Sequence, residues 1–157
     1  MASILRPEKF PTPRNPRFRE LVHKKLKGQH FMREVGIHLD EIEPGYVSAS
    51  MELQPRHLQQ DGNAHGGVIM TLLDVAMGFA AFTLVDPHQH VVSGQMDVHF
   101  LRPGRSQRLW AEGHVIKAGR RLSFCEGQVW AVGAGTRQLI AKAQSIMVIF
   151  VPGQPNQ

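Results

Sequence analysis

From Gly66 to Val85 the chain reads GGVIMTLLDVAMGFAAFTLV, an apolar stretch in which Asp74 is the only charge. The run is long enough to cross a bilayer. An acid in its middle is costly there, however, and the segments around it pattern as strands of a soluble protein. The expectation is therefore a helix that is apolar all round because it is buried on every side. Upstream, GYVSASMELQ alternates Val47, Ala49, Met51 and Leu53 with Tyr46, Ser48, Ser50 and Glu52, the period of a strand with one buried face. Downstream, VSGQMDVHFLRP, RLWAEGHVIKAG, LSFCEGQVWAVG and QLIAKAQSIMVIF read as four more strands, separated by turn clusters at RPGRSQ, AGRR and GAGT. Helix, strand, buried helix and a meander of four strands predict an α+β domain whose antiparallel sheet curls around one central helix.

Composition narrows this only at the front of the chain. The 157 residues suit one domain, with no internal repeat, and divide into a basic N-terminal arm with a short helix (1–35) and a single folded domain (36–157). The formal charge of +5 comes largely from RPEKFPTPRNPRFRELVHKKLK. Such a segment reads as a solvated arm and amphipathic helix, not as an anionic-membrane patch, and nucleic acid is not expected as a partner, since no aromatic stacking positions interleave with the basic residues. Cys125 is the sole cysteine, which excludes an intrachain disulfide and zinc-type spacing and points to a reducing compartment, the cytoplasm. Charges and prolines stand where a signal peptide needs its apolar stretch, although a basic, acid-poor beginning is also the composition of a transit peptide. His88 and His90 form a His-x-His without an obvious third ligand, and no metal is expected.

The buried helix begins through NAHGGVIMTLLD and is followed by MDVHFLRPG and KAGRRLSF. In these segments the chain resembles the hotdog-fold acyl-CoA thioesterases, the group that includes phenylacetyl-CoA-type and hydroxybenzoyl-CoA-type enzymes. The likeness runs from about Gly36 to Phe150, and its most specific element is His-Gly-Gly with an acid nine residues after the His. It implies hydrolysis of a CoA thioester, with coenzyme A as part of the substrate and no separate cofactor. It also implies a homodimer with its sites at the interface, and a tetramer beyond that.

Thioester hydrolysis needs a polarised carbonyl and an activated water or nucleophile, while the thiolate leaves without much help. A helix N-terminus offers unpaired amides and a dipole that favours negative charge. The resemblance gives the oxyanion donor to the Gly66 amide; the plainer reading is that Gly66 and Gly67 only permit a tight start to the helix. Asp74 is expected to have its pKa raised by desolvation, making it a better base or nucleophile, and the residues leave open whether it directs a water or attacks the carbonyl. The alternative is an acid satisfied by backbone or hydroxyl donors.

By the same resemblance Gln59, six before His65, hydrogen-bonds near the thioester, and Ser93 aligns with a position that in some relatives holds the catalytic water; His65 is expected to orient the loop, because thiolate departure requires no general acid. Asn63 and Gly67 are expected to contact substrate. Phosphates of coenzyme A call for cations, and Arg102, Arg105, Lys117, Arg120 and Arg121 lie near turns. One departure is Gly78, where relatives carry Ser or Thr one turn beyond the acid. It leaves the water held otherwise or the pocket widened for a bulkier acyl group, aromatic or medium-chain. The other functions to weigh are a hotdog hydratase or dehydratase, and a non-catalytic acyl-CoA-binding protein.

Overall fold

Two short helices, α1 (Phe18–Lys27) and α2 (His30–Val35), precede strands β1 (His38–Glu43) and β2 (Tyr46–Glu52). The long helix α3 (Gly66–Phe82) follows, then β3 (His90–Phe100), β4 (Arg108–Ala118), β5 (Leu122–Gly133) and β6 (Thr136–Phe150). The computed structural model describes residues 5–133 and 135–153; part of the N-terminal stretch read for targeting lies outside them.

All six strands form one antiparallel sheet in the order β1-β2-β4-β5-β6-β3, wrapped around α3 as expected. The strands differ from expectation at three points. β1 was not foreseen, because HLDEIE is too polar to show an apolar alternation. The four-strand meander is a three-strand one: β3 crosses to the far edge and pairs with β6, not β4. And β2 is buried on both faces from Tyr46 to Met51. Its second face meets the N-terminal arm at Tyr46, with Phe10 against the ring at 6.4 Å, and Asp40 and Arg108 at Ser50.

The arm is thus docked rather than solvated. Phe18, Val22 and Met32 enter the core, and Arg19 donates to the Ile42 carbonyl (3.1 Å) and pairs with Glu43, tying α1 to β1. On the same outer face Glu112, fully buried, accepts from the Tyr46 hydroxyl at 3.2 Å, while Arg137 lies between the Trp110 and Trp130 rings. A buried carboxylate beside a stacked cation meets the requirement that such charges be paired.

α3 lies very close to the sheet because two paired strand positions have no side chain. Gly113 of β4 faces Gly127 of β5. A Cβ on Gly113 would fall 2.5 Å from the backbone of Ala76 and Met77, so only glycine lets the helix cross here. Leu72, Leu73, Ala76 and Met77 fill this contact completely.

Candidate functional site

The loop before α3 is fixed by its own hydrogen bonds. His57, buried at the end of a 3-10 turn (Pro55–His57), accepts from the Gln54 amide through Nδ1 at 3.1 Å. Its carbonyl accepts from the His65 amide at 2.8 Å, and Gly104 accepts from Ala64 at 2.9 Å. Gly62 takes a positive φ of 76° to close the turn. Burial, then the neighbouring Arg56, lowers the His57 pKa, which keeps the ring a neutral acceptor. Sequence reasoning missed His57; its signal was the pattern QPRH, a proline-started turn with a possible capping side chain.

At the helix start, His65 is the N-cap, and its Nδ1 accepts from the Gly67 amide at 2.9 Å. An accepting Nδ1 leaves the neutral ring's proton on Nε2. The two glycine amides are thereby distinguished. Gly67 is capped, whereas the Gly66 amide makes no hydrogen bond among the described residues. The Phe100 ring stands beside Gly66, 3.4 Å from where a Cβ would lie. Gln59 is occupied within the loop, its Oε1 accepting from the Asp61 amide and its Nε2 donating to Asp61 Oδ2 at 3.4 Å. Asn63 accepts from Arg105 Nε at 2.6 Å.

Two turns into α3, Asp74 is half-buried on the wall of a cavity instead of enclosed in the core, so the expectation of a helix buried on every side holds for only one of its faces. The Ser93 hydroxyl donates to Asp74 Oδ1, and lies 3.6 Å from the Met147 sulfur. A β-bulge at Gly94 brings this about: Ser93 pairs with Met147 and Gln95 with Ile146, so the extra residue turns both Ser93 and Met96 inward. The cavity, about 660 Å³, runs between α3 and β3 and is closed at its far end by α1 and α2. A Cβ on Gly78 would meet nothing within 4 Å, so this glycine leaves space in the helix face where a longer side chain would project.

The five candidate cations separate. Arg102 donates to the Leu139 carbonyl (3.1 Å), on the same side as Arg105 and the start of α3. Lys117, Arg120 and Arg121 sit at the β4–β5 turn, joined through Arg14 to Asp86 just past the other end of α3. A 17-residue helix is about 25 Å long, so within one chain the two groups lie toward opposite ends of it. Gly66 and Asp74 are similarly apart, about 12 Å along the axis and about 80° around it. His90 packs against Phe150 and Lys25, and among the described residues no cluster of three metal-type ligands occurs. Cys125 is buried, and burial pushes its thiol up to about 12, which leaves it inert. No helix among the described residues is long and apolar enough to cross a membrane.

A helix wrapped by a six-stranded antiparallel sheet, with an acid on its open side, is the hotdog architecture of thioester-processing proteins. The thioesterase superfamily model matches residues 61–136, from the loop before α3 to the start of β6. A Pseudomonas aeruginosa protein named as an esterase is 30% identical over 99 residues, covering 62% of this chain and 70% of the relative. Human acyl-coenzyme A thioesterase 13 is 28% identical over 128 residues, 80% of this chain and 89% of that one. Among solved structures, a thioesterase family protein from Silicibacter pomeroyi superposes with a TM-score of 0.84 at 28% identity, covering 85% of this chain and 98% of the other. The chain belongs to the thioesterase superfamily and is a thioester hydrolase.

Proposed function

We propose that the protein hydrolyses acyl-CoA thioesters as a homodimer, with Asp74 of one chain and the Gly66 amide of the other acting on one carbonyl. The observation that carries this reading is a pair of complementary half-sites about 12 Å apart on one helix. One is an amide with no partner at a helix N-terminus, and the other a carboxylate aligned by Ser93 on a cavity wall. Two helices running in opposite directions about a two-fold axis would bring each half-site to its complement. The open edge strand β3, with Val92 and Phe100 each 51% exposed, and the exposed Met70 of α3 are the surfaces such a partner would cover. Ile116, Leu122 and Phe124, exposed at the β4–β5 end, give a second apolar surface through which dimers pair into a tetramer.

In the reaction the Gly66 amide receives the negative charge that develops on the thioester oxygen, helped by the helix dipole. Asp74 either takes a proton from an attacking water or attacks the carbon itself, and the thiolate of coenzyme A departs unaided. Ser93 holds the carboxylate, and can position a water beside it. His65 keeps the Gly67 amide occupied and the loop in place. The cations at the β4–β5 turn of one chain and those near Asn63 of the other are the candidates for the CoA phosphates.

Thiol release from a panel of acyl-CoA esters tests the activity and separates hydrolysis from hydration. Asp74→Asn is expected to lower kcat by about 100-fold or more with KM within a small factor; a folded variant with near-normal kcat would remove Asp74 from the chemistry. The interface is tested by mixing. Gly66→Pro deletes the donor at a first helical position, where proline is tolerated, and His65 already holds the extended φ −62°, ψ 138° that precedes proline well. Unfolding and refolding the two inactive variants together should restore about a quarter of wild-type activity, because half of the randomly mixed dimers carry one intact site of two. Demonstrated mixed dimers without activity would mean that each chain holds its whole site.

A further inference from the structure

Beyond Asp74 the cavity continues along α3 past Gly78 to Phe82, and two polar side chains close its otherwise apolar far end. Lys25, on α1, and Gln29, four residues later at the N-cap of α2, both line it. Lys25 Nζ lies 3.2 Å from His90 Nδ1, 3.3 Å from His90 Nε2 and 5.7 Å from the centre of the Phe82 ring. An ammonium carries three donors, and one imidazole can accept only one of them. Among the described residues no carboxylate pairs with Lys25, although most of the arginines of the N-terminal arm have acidic partners. The Gln29 amide likewise makes no side-chain hydrogen bond among the described residues. An apolar cavity ending in a half-buried cation with spare donors suits a chain whose far end is an anion.

We infer that the acyl group this site takes carries a carboxylate at its far end, held by Lys25 and Gln29: the substrate is a CoA half-thioester of a dicarboxylic acid. The inference rests on the acyl-CoA reading and names the substrate class of that same site. Asp74 and Phe82 are about 12 Å apart along the helix. An extended eight-carbon acyl chain spans about 9 Å, which leaves a terminal carboxylate within reach of a lysine above Phe82. Gly78 is then the position that keeps the cavity continuous along the helix. A methyl-ended chain of the same length would leave the ammonium facing hydrocarbon, which is the discrimination the arrangement supplies.

The experiment uses the full chain and matched pairs. Thiol release is measured with suberyl-CoA and octanoyl-CoA, and calorimetry with their non-hydrolysable thioether counterparts, S-(7-carboxyheptyl)-CoA and S-octyl-CoA. The expected result is a kcat/KM for suberyl-CoA about tenfold or more above octanoyl-CoA, with the same order in thioether affinity. Lys25→Met should cut the carboxylate-ended ligands at least tenfold and leave the methyl-ended ones unchanged or improved. Equal use of both esters by the wild type, or a Lys25→Met loss shared equally by both, overturns the inference; the shared loss would place Lys25 on the CoA portion or in the frame of the cap. Because binding is read separately, a thioether preference without thiol release would retain the carboxylate subsite and overturn the hydrolase reading of Asp74 alone. Thiol release without any thioether preference would do the reverse. Lys25→Arg, which keeps the charge, should retain part of the preference if the charge is what selects.

Discussion

α3 carries a single charge, Asp74, and its two faces meet different surroundings. Leu72, Leu73, Ala76, Met77 and Ala80 are wholly enclosed by the chain's own sheet, with the helix backbone almost touching β4 at Gly113. Turned the other way, Gly67, Met70, Thr71, Asp74 and Gly78 border a cavity, and a Cβ added at Gly78 would meet nothing. One face is therefore closed by packing alone, while the other is left for a ligand and, in the dimer proposed above, a second chain. A helix with one charge in a long apolar run therefore need not be surrounded by its own domain. Its apolar surplus can be reserved for something that binds.

The same small substitution made on each face should give opposite results. Gly113→Ala is expected to have the largest effect on stability. The new methyl would sit 2.5 Å from main-chain atoms of Ala76 and Met77, and backbone cannot rotate away as a side-chain end can. A loss of about 3 kcal/mol follows from overpacking of this kind, visible as a drop in Tm of roughly 10 °C. A Tm within a degree or two of wild type would mean that α3 can lift from the sheet without cost, and the closed face would not be closed.

Between the two faces lies the helix start, where the difference is in the backbone. His65→Ala removes the cap from the Gly67 amide and should cost about 1 kcal/mol. It should also lower kcat by roughly tenfold, since an uncapped first turn no longer holds the Gly66 amide in place. His65→Asn is the decisive companion. Asparagine caps through its side-chain oxygen but does not titrate, so restored stability and kcat would assign His65 to positioning, and restored stability without kcat would assign it to proton transfer.

How much of this could be read from the sequence differs by level. The helix around Asp74, the strand before it and the three-strand meander were legible because each repeats its own period over many residues. The position of β3 was not, because pairing across the sheet leaves no local mark, and the strand order depends on a crossover that the turn residues do not encode. The direction of Ser93 was hidden for a related reason. A bulge at Gly94 changes the alternation of β3 partway along, so that Ser93 and Met96 face the same side. Lys25 and Gln29 were missed because the arm was read by its charge. The spacing of Phe18, Val22 and Leu26, an apolar row every fourth residue, already indicated a helix that docks, and docking is what brings Lys25 to the cavity. The residues of the proposed site were more accessible: His65, Gly66 and Asp74 share one helix and its cap, where sequence spacing is spatial spacing.

The smallest expected effect is on the open face, and it carries the sign that completes the comparison. Gly78 has an ordinary helical conformation and nothing near the place of a Cβ, so alanine there meets no obstacle and reduces the freedom of the unfolded chain. Gly78→Ala should therefore stabilise the protein by about 0.5–1 kcal/mol, read as a higher midpoint in urea with unchanged slope. The methyl also enters the cavity one turn beyond Asp74, between the carboxylate and the far end. Short acyl esters should be turned over as before, whereas long or bulky ones should lose kcat/KM by several-fold through KM, with a larger loss for Gly78→Val. A stabilised variant that handles every acyl length alike would mean that acyl chains do not run along this face. A destabilised one would mean that the open face is filled in solution, by the partner chain pressing against Gly78 much as β4 presses against the opposite side.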